Sequence, residues 1–344
     1  GKGHETIQEI GVKKIIFSDK KVILDAIKLK NSSLSNDLKF NILKELSEEK
    51  KLSSRITLKK AQINSKEIKK GDIFFAIKGK KNDGNKFISE AFNKKASIVI
   101  VNKISKKNNI KHQIKVRDSL KFLTQSSKVY RKNINTKIIA ITGSCGKTTL
   151  KELLGNSLKK LSKTSTSPKS YNNKYGVPLS LFNLNQKDDY GVLEIGMDKK
   201  GEIDYLSKIA QPDVSVITNI NYAHAKNFKS LKQIALAKSE IIHNTKDNGF
   251  IVLNADDNFF TFHKKIALKK NLKIVSFGIK SKYSNIKFIN IKKFKKKFKV
   301  TIKINHLKTY FLIPNDFENY ISNILAALAV MSIFLDISKI NKNI

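Results

Sequence analysis

Apolar and polar positions follow two rhythms along this chain, and the rhythm changes near residue 137. Before that point the runs are short and mixed. Ile73 to Ile77 is an apolar run closed by the turn-forming pair Lys78-Gly79, and Ala96 to Val101 is nearly continuous, so each predicts a strand. Leu38 to Leu46, Phe87 to Phe92 and Ser119 to Tyr130 have helical spacing. These elements predict a small α/β domain over residues 38–135. Upstream, Lys14 to Phe17 reads as a strand, Asp19 to Leu29 as a helix, and Asn31 to Asp37 as a polar joint without apolar period.

From Lys137 the pattern is strand, tight loop, helix, repeated. Ile138 to Ile141, Gly191 to Ile195, Val214 to Thr218 and Gly249 to Leu253 are apolar without alternation, and helices are expected at Thr148 to Leu161 and Leu231 to Ile242. Strands of that kind are buried on both faces, which predicts a parallel sheet covered by helices. Lys273 to Gly278, Ile286 to Ile291 and Lys297 to Ile304 are strand-like with fewer helices between them, and Ile324 to Phe334 is an apolar helix. The fold class expected is α/β: a small N-terminal α/β domain, then a phosphate-loop ATPase domain with a mostly parallel sheet over residues 136–344.

Composition changes this picture little. The chain has 344 residues and one cysteine, Cys145, which removes any disulfide framework or multi-cysteine zinc site and fits a reducing, cytoplasmic setting. A run of about 18 apolar residues is nowhere present, so no membrane span is expected. The net charge is +40, yet of the 68 basic side chains only Arg55, Arg117 and Arg131 are arginines. Lysine is spread through nearly every segment beside abundant Asn and Ile, as a compositional drift would leave it. Without arginine's rigid fork, specific nucleic-acid binding is not expected, although such a field attracts anionic ligands such as ATP. The densest run, Lys292 to Lys299 around Phe294 and Phe298, reads as one strand with a solvated face; a nucleic-acid stripe is the alternative.

The strongest chemical signal is Thr142-Gly143-Ser144-Cys145-Gly146-Lys147-Thr148-Thr149 between an expected strand and helix. Gly143 and Gly146 allow a backbone curl whose N–H groups face phosphate oxygens at a helix N-terminus. Lys147 would then reach the β- and γ-phosphates, and Thr148 would hold Mg2+. Ile141 stands where the longer form of this motif begins with glycine, so the loop is a shortened one. Glu194, at the end of an expected strand, is the candidate to complete the metal site, against the alternative of an ordinary strand-end carboxylate. His224, past the strand ending at Thr218, is either catalytic or structural. Lys238 follows Ala235, Leu236 and Ala237 on an apolar helix, where a lysine is normally solvated or snorkelling.

Thr142 to Thr149, Asn172 to Leu179, Glu194 to Met197, Thr218 to Ile220 with Ala223-His224, Ala237 to Ile241 and Asn254 to Asp257 resemble, in order, the motifs of the Mur ligases. Asn64-Ser65-Lys66 and Gly71-Asp72 to Gly84 resemble that family's uridine-nucleotide-binding segment. The resemblance implies ATP-dependent joining of an amine to a carboxylate through an acyl phosphate, with UDP-N-acetylmuramoyl-tripeptide and D-alanyl-D-alanine as partners and a monomeric enzyme. It implies ATP contacts at Gly143, Ser144, Cys145, Gly146, Lys147, Thr148, Thr149, Asn254 and Asp257. Asn64, Ser65, Lys66 and Asn173 would contact the muramyl substrate. Mg2+ would be bound by Thr148, Glu194 and His224, and Lys147, His224 and Lys238 would be catalytic, Lys238 as the lysine carbamylated by CO2.

Departures are visible too. Asn64 replaces the family's usual Asp, Lys66 its usual Arg, and Phe317 to Asn319 a segment with Gly first and His third. Gly1 to Glu5 with Phe17-Ser18-Asp19 resemble the tail of the family member that adds the third stem residue. From the resemblance the chain is expected to be an internal piece of a two-enzyme fusion that stops before a third domain, with weak ligation by itself. Two other readings stay open: a phosphate-loop ATPase that binds nucleic acid, and a non-catalytic nucleotide-sugar-binding module.

Overall fold

The computed structural model describes residues 37–47, 56–79, 82–222, 227–314 and 320–335. The strand expected at Lys14 to Phe17, the helix at Asp19 to Leu29, the Gly1 to Glu5 motif, His224 and Phe317 to Asn319 lie outside the described residues. After a helix at Leu38–Ser47, the first sheet comprises β1 (Ala61–Gln62), β2 (Ile73–Phe75), β3 (Ile98–Val101) and β4 (Gln113–Lys115), in that spatial order and all parallel. Ile73, Phe74, Phe75 and all of β3 are buried, as an apolar run without alternation requires. Helix Ile88–Asn93 packs on it, and helix Ser119–Lys132 leads to the second sheet.

That sheet has nine strands: β5 (Lys137–Thr142), β6 (Thr164–Thr166), β7 (Tyr190–Glu194), β8 (Val214–Ile217), β9 (Phe250–Asn254), β10 (Lys273–Gly278), β11 (Ile286–Phe294), β12 (Lys297–Ile304) and β13 (Leu307–Pro314). The spatial order is β13-β12-β11-β10-β9-β8-β5-β7-β6, parallel from β6 to β11 and antiparallel from there outward. The expected mixed α/β class with a parallel-dominated sheet is the observed one.

Alternate residues of β5 explain the two helix layers. Ile139 and Ile141 join Leu150, Leu154 and Leu158 of helix Lys147–Lys159 and Leu325 and Leu328 of helix Ile321–Phe334 in one core. Ile138 and Ala140, pointing the other way, are equally buried on the side of helices Glu202–Ala210 and Leu231–Asn244. Helix Gly176–Phe182 is buried along its whole length and joins the two sheets. Just past its end, the Asn183 amide accepts the Ala61 N–H (2.7 Å) and donates to the Ala61 carbonyl (2.8 Å), serving β1 as a missing neighbour strand would.

One expectation fails here. Lys292 to Lys299 is not a single strand: β11 ends at Phe294, the chain turns through Lys295 (φ +54°) and Lys296, and Phe294 pairs with Lys297 in β12. A two-residue hairpin turn needs positive φ, which usually calls for Gly or Asn, so a lysine turn carries no local signal. β13 follows as the outer antiparallel strand.

Arg131 fastens the segments that flank β5. It is 3% exposed; its Nε donates to the Ala210 carbonyl (2.9 Å), Nη1 to Thr136 (3.1 Å), and Nη2 to Gln211 (3.0 Å) and the Asp213 carboxylate (2.7 Å). The same Asp213 oxygen accepts the Ile138 N–H at 2.8 Å. Removing one partner of a buried, hydrogen-bonded pair strands the other, at about 3–5 kcal/mol. Arg131→Ala should therefore lower the urea-unfolding free energy by about 3 kcal/mol, and Arg131→Lys should recover only part of it because an ammonium cannot reproduce the fork. Equal stability of Arg131→Ala and the parent chain would refute this.

Candidate functional site

Where β5 ends, the backbone curls into the phosphate loop. Gly143 (φ +149°) has no room for a Cβ against the Thr218 side chain, and Gly146 (φ +79°) lies beneath the Asn323 amide. The curl is held from the segment just past β8: Ser144 N–H donates to Asn219 O (2.9 Å), Cys145 N–H to Asn219 Oδ1 (3.0 Å), and Thr218 Oγ1 to Cys145 O (2.7 Å). Ser144 Oγ and the Asn221 backbone add a reciprocal pair at 2.8 Å. Gly146 then caps helix Lys147–Lys159 without a side-chain acceptor, so the first N–H groups of that helix have no capping side chain from it.

Lys147 opens that helix, an unfavourable place for a cation unless an anion is near. Its Nζ donates to the carbonyls of Gly143 (2.8 Å) and Ser144 (3.3 Å), which seats the ammonium over the loop. Burial pulls its pKa down, and the Glu194 carboxylate opposes that pull. Thr148 Oγ1 donates to Glu194 Oε2 at 2.8 Å, while the other carboxylate oxygen accepts Asn172 Nδ2 at 2.7 Å. Glu194 itself is 2% exposed, with its N–H on Ser167 Oγ (3.3 Å).

The expected residues therefore gather in part. Lys147, Thr148 and Glu194 share one spot. Lys238 is 4% exposed, so the solvated or snorkelling placement is wrong: helix Leu231–Asn244 turns it inward, and burial first, then the nearby Lys147 charge, lowers its pKa to about 7. Asn254 and Asp257 border the same sheet edge. Asn254 Nδ2 donates to Thr218 O (3.1 Å), and the Asp257 oxygens accept the N–H groups of Ile220 (2.7 Å) and Phe259 (2.8 Å). Asn173 Oδ1 accepts Tyr175 N–H and Gly176 N–H, both at 3.0 Å, at the start of helix Gly176–Phe182.

On the first sheet, Asn64 Oδ1 accepts the Lys66 N–H (3.1 Å), the buried Ser65 hydroxyl donates to Glu90 (2.8 Å), and Lys66 is exposed. Glu67 reaches Lys169 of the second sheet's loop at 3.7 Å. A cleft of about 1010 Å³ lined by Gln62, Glu67, Thr166, Lys169 and Tyr171, among others, opens beside β6 and β1, away from the phosphate loop.

Among the described residues no group of three or more His, Cys, Asp or Glu could hold a metal. The oxygens present do suit Mg2+, which is typically held by one or two carboxylates together with phosphates and water: Thr148 and Glu194 supply a hydroxyl and a carboxylate in contact. Sequence reasoning missed Asn172 as the clamp on Glu194 and Asn219 as the brace of Cys145, although both stand inside motifs it quoted.

Comparison with known proteins gives matches along most of the chain. Residues 141–331 match the Mur ligase middle domain, and residues 58–142 the Mur ligase family, catalytic domain. The UDP-N-acetylmuramoyl-tripeptide--D-alanyl-D-alanine ligase of Buchnera aphidicola from Acyrthosiphon pisum is 41% identical over 67% of this chain and 50% of its own length. That of Rickettsia prowazekii is 34% identical over 83% and 64%. A crystal structure of MurF from Acinetobacter baumannii superposes with a TM-score of 0.76 at 28% identity, covering 87% of this chain and 65% of that one. MurF from Thermotoga maritima in complex with ADP gives 0.69 at 28%, covering 81% and 64%. The chain thus spans from half to just under two thirds of the length of these relatives.

Lys238 makes stability depend on pH. Its pKa is about 7 when folded and ordinarily near 10.5, so between those values the unfolded chain holds more protons. Its contribution to stability therefore rises with pH across that window and is flat below about pH 7. Lys238→Met should raise Tm at pH 7, with the gain shrinking toward pH 10; thermal melts of both proteins across that range check it, and a gain independent of pH would count against the buried amine.

Proposed function

We propose, from the premise that this chain belongs to the Mur ligase family, that it serves as an ATP-dependent UDP-N-acetylmuramoyl-tripeptide:D-alanyl-D-alanine ligase of peptidoglycan precursor synthesis. The observation that carries the reading is the contact of Thr148 with Glu194 beside Lys147 at the mouth of a shortened phosphate loop. Relatives named for this reaction support the choice of substrates.

In this reading the curl from Gly143 to Thr149 cradles the triphosphate, and Asn254 and Asp257 border the nucleoside. Lys147 exchanges the Gly143 and Ser144 carbonyls for phosphate oxygens and stabilises charge that builds on the transferring phosphoryl group. Thr148 and Glu194 would hold Mg2+, which supplies charge neutralisation on the phosphates when bound. Asn172 keeps the Glu194 carboxylate aimed at that place.

The substrate carboxylate attacks the γ-phosphorus as the bond to ADP breaks. The dipeptide amine then attacks the acyl phosphate carbonyl, an amide forms, and phosphate leaves with the amine's proton passing to solvent. Asn64, Ser65, Lys66 and Asn173 belong to the muramyl side. Asn64 and Lys66 present exposed side chains while Ser65 is buried, so the first two are the direct contacts and Ser65 supports them.

Lys238 is suited to carbamylation. An amine with pKa near 7 is half neutral at pH 7, and a neutral amine adds to CO2, forming an N–C bond and releasing a proton. The product is an anion facing Lys147, which replaces a repulsion by an attraction. The role assigned to His224 rests on the resemblance alone.

The full-length protein, given UDP-N-acetylmuramoyl-tripeptide, D-alanyl-D-alanine and ATP, should release phosphate only when all three are present; release without the dipeptide would defeat the proposal. Lys147→Ala should lower kcat by at least about 100-fold. Glu194→Gln should raise the Mg2+ concentration needed for turnover, and intact-protein mass spectra under CO2 should show one CO2 on the parent chain and none on Lys238→Met.

A further inference from the structure

Lys151 has no role in the chemistry described so far. It lies on helix Lys147–Lys159, one turn beyond Thr148, and is 0% exposed in a chain whose lysines are mostly solvated. Burying an ammonium is expensive unless it is paired and hydrogen-bonded. Lys151 has both kinds of partner: its Nζ donates to the Lys169 carbonyl and lies 3.1 Å from Glu152 Oε1.

The Lys169 carbonyl belongs to the loop between β6 and helix Gly176–Phe182. Its residue is in the left-handed region (φ +47°), a conformation a lysine seldom adopts unheld. The loop is tied at its start by Ser167, whose N–H donates to Val192 O (2.9 Å) and whose Oγ accepts the Glu194 N–H. Three residues past Lys169, Asn172 clamps Glu194 through Nδ2, and Asn172 O accepts the Gly196 N–H (2.8 Å). Between these anchors, Lys151 is the support from beneath.

We propose that Lys151 is a positioning residue: it fixes the turn at Lys169 so that Asn172 holds the Glu194 carboxylate against Thr148. It acts on the metal-binding oxygens from the helix that carries Thr148, linking both halves of the site through one buried cation. The inference rests on the assignment of Thr148 and Glu194 to Mg2+, but not on the identity of the acceptor substrate. An apolar residue at 151 fills the same volume without holding the turn.

The test uses the full-length protein with Lys151→Met, Asn172→Ala, the double variant and Lys151→Arg. In the ligand-free protein, hydrogen exchange at amides 171–176 should quicken in Lys151→Met while β5 and β8 amides stay protected. The Mg2+ midpoint for binding a fluorescent ATP analogue should rise by about tenfold in Lys151→Met. That shift corresponds to about 1.4 kcal/mol, the size of one buried hydrogen bond.

The double variant should be no worse than Asn172→Ala, because both changes release one carboxylate, and Lys151→Arg should restore most of the midpoint. Additive effects, or an unchanged Mg2+ midpoint, would overturn the proposal. If Lys151→Met does not fold, Lys151→Gln takes its place with the same expected rise in the Mg2+ midpoint, and an unchanged midpoint in it overturns the proposal. These readouts use nucleotide and Mg2+ only, so failure of the dipeptide-dependent reaction in the parent protein would remove the ligase assignment and leave this test standing.

Discussion

Register between two neighbouring strands decides where the chemistry sits. Ile141 pairs with Glu194 across β5 and β7, and the Ile195 N–H continues the ladder onto Ile141 O at 2.8 Å. The phosphate loop starts two residues after Ile141, so the carboxylate is delivered to the first turn of the following helix. A slip of one residue would turn Glu194 to the opposite face. β5 is also the strand at which the order reverses, with β7 on one side and β8 on the other. Such a switch point leaves a crevice at the carboxyl ends of the strands, and ligands occupy it. The braces from Thr218 and Asn219 come from the segment just past β8 and the Glu194 carboxylate from the end of β7, so both neighbours of β5 shape one site.

Three buried cations show how a chain rich in lysine handles charge near that crevice. Arg131 engages every nitrogen of its fork with carbonyls and one carboxylate. Lys151 takes one carbonyl and one half-exposed carboxylate, enough to hold a turn. Lys238 answers burial by releasing its proton near pH 7, which converts it from a fixed charge into a nucleophilic amine. Full pairing gives rigidity, partial pairing gives position, and loss of the proton gives reactivity. The net charge of +40 describes none of this, because the solvated lysines that dominate it are screened within about 8 Å at physiological salt.

The parts of the fold legible beforehand are those with a dense local signal. Apolar runs located β5, β7, β8 and β9, a looser strand-like pattern located β10, and glycine spacing located the phosphate loop. Helix Gly176–Phe182 was hidden because its start is capped by Asn173 inside a stretch read only as a motif, and helix Phe260–Lys269 because lysines crowd its pattern. β13 and the turn at Lys295 were hidden because their register is set by pairing with β12 and not by turn residues. For the site, Lys147, Thr148 and Glu194 could be named from spacing. The inward aim of Lys238, the clamp by Asn172 and the burial of Lys151 depend on which helix face meets the loop, a long-range fact that no window of sequence contains.

The first sheet joins this arrangement through contacts of unequal strength. The Glu67 to Lys169 pair is 3.7 Å long between side chains 42% and 76% exposed, so screening leaves it little energetic weight. Asn183 against Ala61 is different: two hydrogen bonds close a part-buried strand edge, and Tyr130 OH and Ser127 Oγ add bonds to Leu184 O and Pro178 O. The two sheets are thus held at the base of helix Gly176–Phe182, whose other end carries Asn173 and, just before it, Asn172. That helix is therefore fixed at its far end, while its near end adjoins the Asn172 clamp on Glu194. At the first sheet's edge the Asn64 side chain holds the turn through the Lys66 N–H, and both residues face solvent, so that turn depends on a local hydrogen bond and not on burial.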